Sequence, residues 1–401
     1  MTAGGWARLV IVPATTMAKL PDSLSPGPFP TRRDAYVDLL RAFSMVVVVV
    51  FHWGFTVIEF GPESVRAGNL VETVPGLWLL TWVLQVMPLF FFVGGYADWI
   101  VWTRIRAAGG GWRAFVAGRL WRLLVPALVV GLGWLAVARV TGVIRDVAWL
   151  ADAVLLIISP LWFLVVYAGM VMIAPAAIWA NRRWGPVLLV ILGCLAAGFD
   201  VLRFAHGQGW AGMANVLVIW GFCHHLGLMY RPLADAPRAV AWGLVWVGAF
   251  GLTTLTTFGP YPRSMVGLPG DAFSNIGPPT LVILPLLVLQ VGLVMLMRRR
   301  VVVRLELSER WRRATDLATR FSLPVYLLHT TGFALAVLVV YLVFGYVVPG
   351  EAGAAWWLQR PLWMALSAAF TVPLIVLFLR TGRGPTLRGD PTLPVALPEE
   401  D

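Results

Sequence analysis

Residues 39–53 read LLRAFSMVVVVVFHW. The stretch is apolar enough for lipid, yet it carries Arg41 near one end and His52 near the other, with ten residues between them. Read as a helix, eleven steps advance about 16 Å and turn about 1,100°, which leaves the two side chains about 20° apart on one face. A charge in hydrocarbon costs roughly 2.5–3.5 kcal/mol on insertion scales, so such groups turn toward a partner or a cavity. Asp38 precedes Arg41 by three residues and lies within reach of it. The plainer alternatives are a snorkelling anchor for Arg41 and, for His52, a core histidine bonded to another helix. Both on one face favour a polar path along the segment.

The rest of the chain agrees that its solvent is partly lipid. Of 401 residues, 59% are hydrophobic and 13% charged, where ordinary soluble domains carry roughly 25% charge. One soluble core of this length does not hide so much apolar surface. The net charge of +11 does not point to nucleic acid, because the basic residues sit between apolar runs rather than along one face. Cys194 and Cys223 both fall inside apolar runs and read as packing residues.

A helix needs about 20 apolar residues to cross a bilayer. Ten such runs are expected, over 35–58, 77–102, 117–139, 161–180, 185–203, 213–230, 238–258, 279–297, 321–346 and 357–380. A shorter run, 147–158, is expected to be an interfacial or loop helix. Arginines and lysines collect in alternate gaps: Lys19, Arg32 and Arg33 before the first span, Arg104 to Arg122 around the second gap, Arg182 and Arg183, Arg231 and Arg238, Arg298 to Arg320, and Arg380 to Arg388. The intervening gaps are mixed or poor in basic residues. By the positive-inside rule both termini are expected in the cytoplasm. The expected fold is therefore all-α, a polytopic integral membrane helix bundle of about ten transmembrane helices. Residues 1–32 and 381–401 read as disordered tails around a membrane domain spanning 33–380. The apolar piece LVIVPATTMA is short and interrupted by Pro13, unlike a cleaved signal peptide.

The stretch VDLLRAFSMVVVVVFH resembles the opening of the acyltransferase 3 family, bacterial multi-pass membrane O-acyltransferases whose first span carries an arginine, ten residues and a histidine. Four more pieces resemble family segments in order: PLFFFVGGYADW, FVAGRLWRLLVP with its Arg119-x-x-Arg122 pair, PLWFLVVY, and LPVYLLHTTG with Tyr326 and His329. Relatives often have Ser-Gly where this chain has Gly94–Gly95, so any contact made by that serine is absent here.

The resemblance implies transfer of a short acyl group, with acetyl expected, from cytoplasmic acyl-CoA to an extracytoplasmic hydroxyl on a glycan, glycolipid or small metabolite. Acyl-CoA is a co-substrate in that reading, and no permanently bound cofactor is expected. His52 is the expected general base, suited by an ordinary pKa of about 6.5. Arg41 would bind donor or stabilise oxyanion charge, and Asp38 would orient Arg41. Arg119 and Arg122, three apart at a helix start, suit phosphate oxygens, although anchoring at the membrane surface also explains them. Tyr326 and His329 are expected on the donor side, or else as a pair stitching helices together. Trp162, Gly94 and Gly95 are expected to line the substrate site, and Asp200, Arg203 and Asp271 are outer-face candidates for the acceptor. No metal is expected. His224 and His225 are adjacent, and neighbouring helical residues point about 100° apart. A secondary transporter or flippase is the alternative, since intramembrane charges also mark ion paths.

Overall fold

The structure, a computed structural model, describes residues 34–60, 65–69, 74, 76–144, 150–267, 271, 273–345 and 353–380. The expected tails, and the gap residues Arg145, Asp146 and Glu351, lie outside the described residues.

α1 (Ala35–Phe55) begins on Asp34, whose carboxylate accepts from the amides of Tyr36 and Val37 at 3.0 and 3.3 Å, a helix N-cap. It ends at Phe55, short of the expected 58, because Thr56 turns extended. The β-branched run Thr56–Val57–Ile58 suits a strand: β1 (Thr56–Phe60) pairs antiparallel with β2 (Val65–Asn69). This hairpin was not expected and is the one sheet among the described residues.

The expected second span, 77–102, is a 3₁₀ turn at Leu77–Leu79, a short α2 (Leu80–Leu84) and then α3 (Met87–Ala107). α4 (Trp112–Ile144) follows. The expected short helix is α5 (Leu150–Ile158), joined by a 3₁₀ turn at Ser159–Leu161 to α6 (Trp162–Trp184). The chain continues through α7 (Pro186–Phe204), α8 (Gly209–Leu228), α9 (Tyr230–Asp235), α10 (Arg238–Phe258), α11 (Ile283–Leu307), α12 (Glu309–Phe344) and α13 (Ala354–Arg380). Among the described residues nine helical segments are long and apolar enough to cross a membrane. The expected span 279–297 corresponds to α11. It is outside that set because Arg298, Arg299 and Arg300 interrupt its apolar run. The protein is a multi-pass membrane helix bundle, and its many outward apolar side chains, such as Trp246, Phe250, Leu342 and Leu362, suit a lipid surrounding rather than water.

Polar ties define the two ends of the bundle. At one end Asp34 accepts from the Tyr230 hydroxyl at 2.9 Å and pairs with Arg298 at 3.7 Å, joining the starts of α1 and α9 to α11. At the other, the Asp200 carboxylate accepts from Asn215 Nδ2 at 2.8 Å, the Tyr261 hydroxyl at 2.9 Å and the Leu281 amide at 2.7 Å. Burial and the Asp200 charge push the Tyr261 hydroxyl up from its ordinary value, which keeps it a donor. Asp200 thus clamps the 259–282 loop to α7 and α8.

Between the ends, helices approach closely through small residues. A Cβ on Gly95 would overlap the His224 carbonyl, and one on Gly227 the Phe92 carbonyl, so α3 and α8 meet backbone to backbone. α1 and α12 run parallel: Thr319 Oγ1 donates to the Asp38 carbonyl at 3.3 Å, and the Trp53 indole donates to the His329 carbonyl at 2.9 Å further along both helices. The turn at Ser159–Leu161 leaves carbonyls outside a regular helix ladder, and α12 uses two of them. Thr330 Oγ1 donates to Ile157 O at 2.9 Å, and the Tyr326 hydroxyl donates to Pro160 O.

Candidate active site

α1 and α12 bring His52 and His329 together, with ring centroids 4.9 Å apart and planes at 66°. Each ring directs Nδ1 at a carbonyl of its own helix: His52 at Val48 O, 2.7 Å, and His329 at Tyr326 O, 2.7 Å. A carbonyl only accepts, so in both rings Nδ1 carries the proton and Nε2 keeps the lone pair. His329 is fully buried, and its Nε2 has no hydrogen-bond partner among the described residues. His52 is half-buried. Two imidazole rings thus stand close together between two helices.

Arg41 leaves the same face of α1 as His52, about 16 Å along the axis. Its guanidinium lies 3.9 Å from the Asp38 carboxylate, a loose pair in which Asp38 is the buried partner.

The second cluster was only half legible. Arg119 on α4 reaches Asp98 Oδ1 on α3 at 2.6 Å, and His224 Nε2 on α8 lies 3.0 Å from Asp98 Oδ2. Arg119 also donates to the Tyr167 hydroxyl of α6 at 3.1 Å. Asp98 and His224 are almost wholly buried, whereas the Arg119 side chain is 23% exposed. A buried carboxylate with a guanidinium at one oxygen and an imidazole at the other holds Arg119 in one pose. That pose faces a half-open cleft of about 380 Å³ between α3, α4, α6 and α12, lined also by Arg104, Arg122 and Leu323.

The expected donor-side set therefore divides. Arg119 and Arg122 line the cleft. Tyr326 and His329 lie beyond its last α12 residue, Leu323, with His329 about 9 Å further along the helix and beside His52. Phe163 bridges the two clusters, its ring 5.8 Å from Tyr167 and 5.7 Å from Tyr326. Trp162, the expected lining residue, is 39% exposed and leans on Trp220 at 6.0 Å. Gly94 seats the Tyr167 ring, since a Cβ there would sit 2.6 Å from Tyr167 Cε2. Gly95 faces the backbone of α8. His225 diverges from His224 and bonds the Gly185 carbonyl at 3.1 Å.

Asp98 and Tyr167 were not singled out from the sequence. Asp98 carried a usable signal, being a lone carboxylate inside an apolar span. Tyr167 carried none. Asp200 turns inward as a loop clamp, and Arg203 lies over the Phe204 and Phe273 rings while bonding Pro278 O at 3.3 Å. Among the described residues no group of three or more histidines, cysteines or carboxylates is arranged to hold a metal.

Residues 34–380 match the family model described as an acyltransferase domain, that of the acyltransferase 3 family. Neither the comparison with curated proteins nor that with solved structures gives a match.

Proposed function

Because the chain belongs to the acyltransferase 3 family, whose domain spans 34–380, we propose that this membrane acyltransferase moves a short acyl group, acetyl first among candidates, from acyl-CoA to a hydroxyl. The observation that carries the reading is the His52–His329 pair: imidazole rings with centroids 4.9 Å apart, on parallel helices, one of which also walls an arginine-lined cleft. The cleft takes the phosphates of the donor on Arg119 and Arg122, with Asp98 as the residue that positions Arg119. The extended arm of an acyl-CoA spans the roughly 9 Å from Leu323 to the level of His329.

At the histidines the acceptor hydroxyl attacks the thioester carbonyl. Its proton passes to Nε2 of His52, the C–S bond breaks, the ester forms, and the CoA thiolate leaves along the cleft. A positioned base of this kind contributes typically 10²–10⁴-fold. The alternating arginines orient the chain with both termini and the cleft in the cytoplasm of a cell whose plasma membrane it spans. The acceptor, a glycan, glycolipid or small metabolite, then arrives from the far side.

The test is acetyl transfer by purified protein in lipid nanodiscs, with radiolabelled acetyl-CoA and an envelope extract as acceptor. His52→Ala is expected to lose transfer while remaining monodisperse, and Arg122→Gln to raise KM for the donor. Undiminished transfer by His52→Ala removes the base. Donor-independent uptake of a solute into vesicles would instead establish a transporter.

A further inference from the structure

A second basic cavity, of about 610 Å³, lies where α11 leaves the apolar layer beside α9 and the start of α10. Five arginines line it: Arg238 of α10 and Arg298, Arg299, Arg300 and Arg304 of α11. Arg298 is committed, pairing with Asp34 at 3.7 Å and donating from Nε to the Tyr230 hydroxyl at 3.0 Å. The other four have no ion pair or side-chain hydrogen bond among the described residues. Asp235, the carboxylate at the end of α9, acts on Arg298.

The floor of the cavity is apolar. Met295, Arg299 and Val303 fall at four-residue steps on α11, as do Leu296, Arg300 and Arg304, and all six line the cavity. Four-residue steps share a helix face, so two neighbouring rows, each about 12 Å long, set Met295 and Leu296 one turn before Arg299 and Arg300. Leu233 and Ala234 continue the apolar part from α9. All five arginines line one concave surface together with these apolar side chains.

We propose that this cavity binds the phosphate headgroup of an anionic membrane phospholipid, with an acyl chain against Met295, Leu296 and Leu233. Guanidinium forks match phosphate oxygens in pairs, and the apolar floor lies on the lipid side of them. A soluble phosphate has the same headgroup chemistry but no use for the floor, which gives the test its arms. The proposal is independent of the acyl-transfer reading.

The experiment uses the full chain in detergent, with phosphatidylglycerol, phosphatidylcholine or inorganic pyrophosphate as probe. Native mass spectrometry counts retained lipid, and a thermal midpoint reports stabilisation. Phosphatidylglycerol is expected to be retained in preference to phosphatidylcholine. The triple variant Arg299→Gln/Arg300→Gln/Arg304→Gln is expected to weaken it on the order of a hundredfold, about fivefold per cation removed. Arg310→Gln/Arg312→Gln/Arg313→Gln removes equal charge from exposed positions of α12 and is expected to leave retention unchanged. Should the first triple aggregate, Met295→Trp fills the floor with every arginine intact and is expected to reduce retention. Equal loss in both triples, no preference between the lipids, retention unmoved by Met295→Trp, or equal stabilisation by pyrophosphate alone overturns the lipid assignment.

Discussion

Neutralising Asp98 should expose what holds Arg119. In Asp98→Asn the side chain keeps its shape and one acceptor oxygen but loses the charge facing Arg119 at 2.6 Å and His224 at 3.0 Å. Removing one partner of a buried pair costs about 3–5 kcal/mol, because the other charge is left uncompensated. Arg119 is 23% exposed at the cleft and regains part of its solvation there, so the low end, about 3 kcal/mol, is expected. Arg119→Gln instead removes the guanidinium facing Asp98 and leaves His224 beside it. That carboxylate is fully enclosed, so this variant should cost the upper part of the same range, about 4–5 kcal/mol. With both changes no charge remains unpaired, and the double variant should be less destabilised than the sum of the singles by about 1–3 kcal/mol. The assay is denaturant unfolding of all four proteins in mixed micelles, followed by tryptophan fluorescence. Additive losses would mean that the two side chains do not act on each other, and the account of Arg119 as a positioned phosphate ligand would fall with them.

Two further expectations rest on single contacts. Gly94→Ser sets a Cβ 2.6 Å from Tyr167 Cε2; overpacking of this kind costs about 1–3 kcal/mol, so the thermal midpoint should fall, and a second change, Tyr167→Leu, should restore it. His329→Gln keeps the backbone carbonyl that Trp53 bonds but removes the basic nitrogen beside His52, so kcat should fall about 10²-fold with the midpoint little changed. An unchanged kcat would leave His52 acting alone.

The ladder of positive charge and the run 39–53 made the bundle readable, because lipid imposes a length and a sign on each span. The same face carrying Arg41 and His52 followed from helix geometry alone. What stayed hidden is what came from the far side of a contact. His329 was expected on the donor side or as half of a Tyr–His pair between helices; it stands beside His52, a pairing that parallel packing of α1 and α12 creates and no local pattern encodes. Trp162 and Phe163 are adjacent in sequence, and their difference of about 100° around the helix decided which one joins Tyr167 to Tyr326. The hairpin after Phe55 was overlooked because Thr56–Val57–Ile58 is as hydrophobic as a helix continuation and only its β-branching argues otherwise.

Asp98 shows why an unmatched charge in a span carries more information than its neighbours. Its burial is tolerable only with Arg119 and His224 in place, so a carboxylate on α3 obliges a cation on α4 and a polar group on α8 to meet it. Gly95 and Gly227 let α3 and α8 approach closely enough for that meeting, and Gly94 leaves room for the Tyr167 ring whose hydroxyl accepts from the same guanidinium. Gly94 therefore belongs to the electrostatics of the cleft: a serine at position 94 would push on the phenol that now accepts from Arg119. In this chain the hydroxyl beside the cleft comes from α6 rather than from α3, and the two cannot both be present without moving Tyr167.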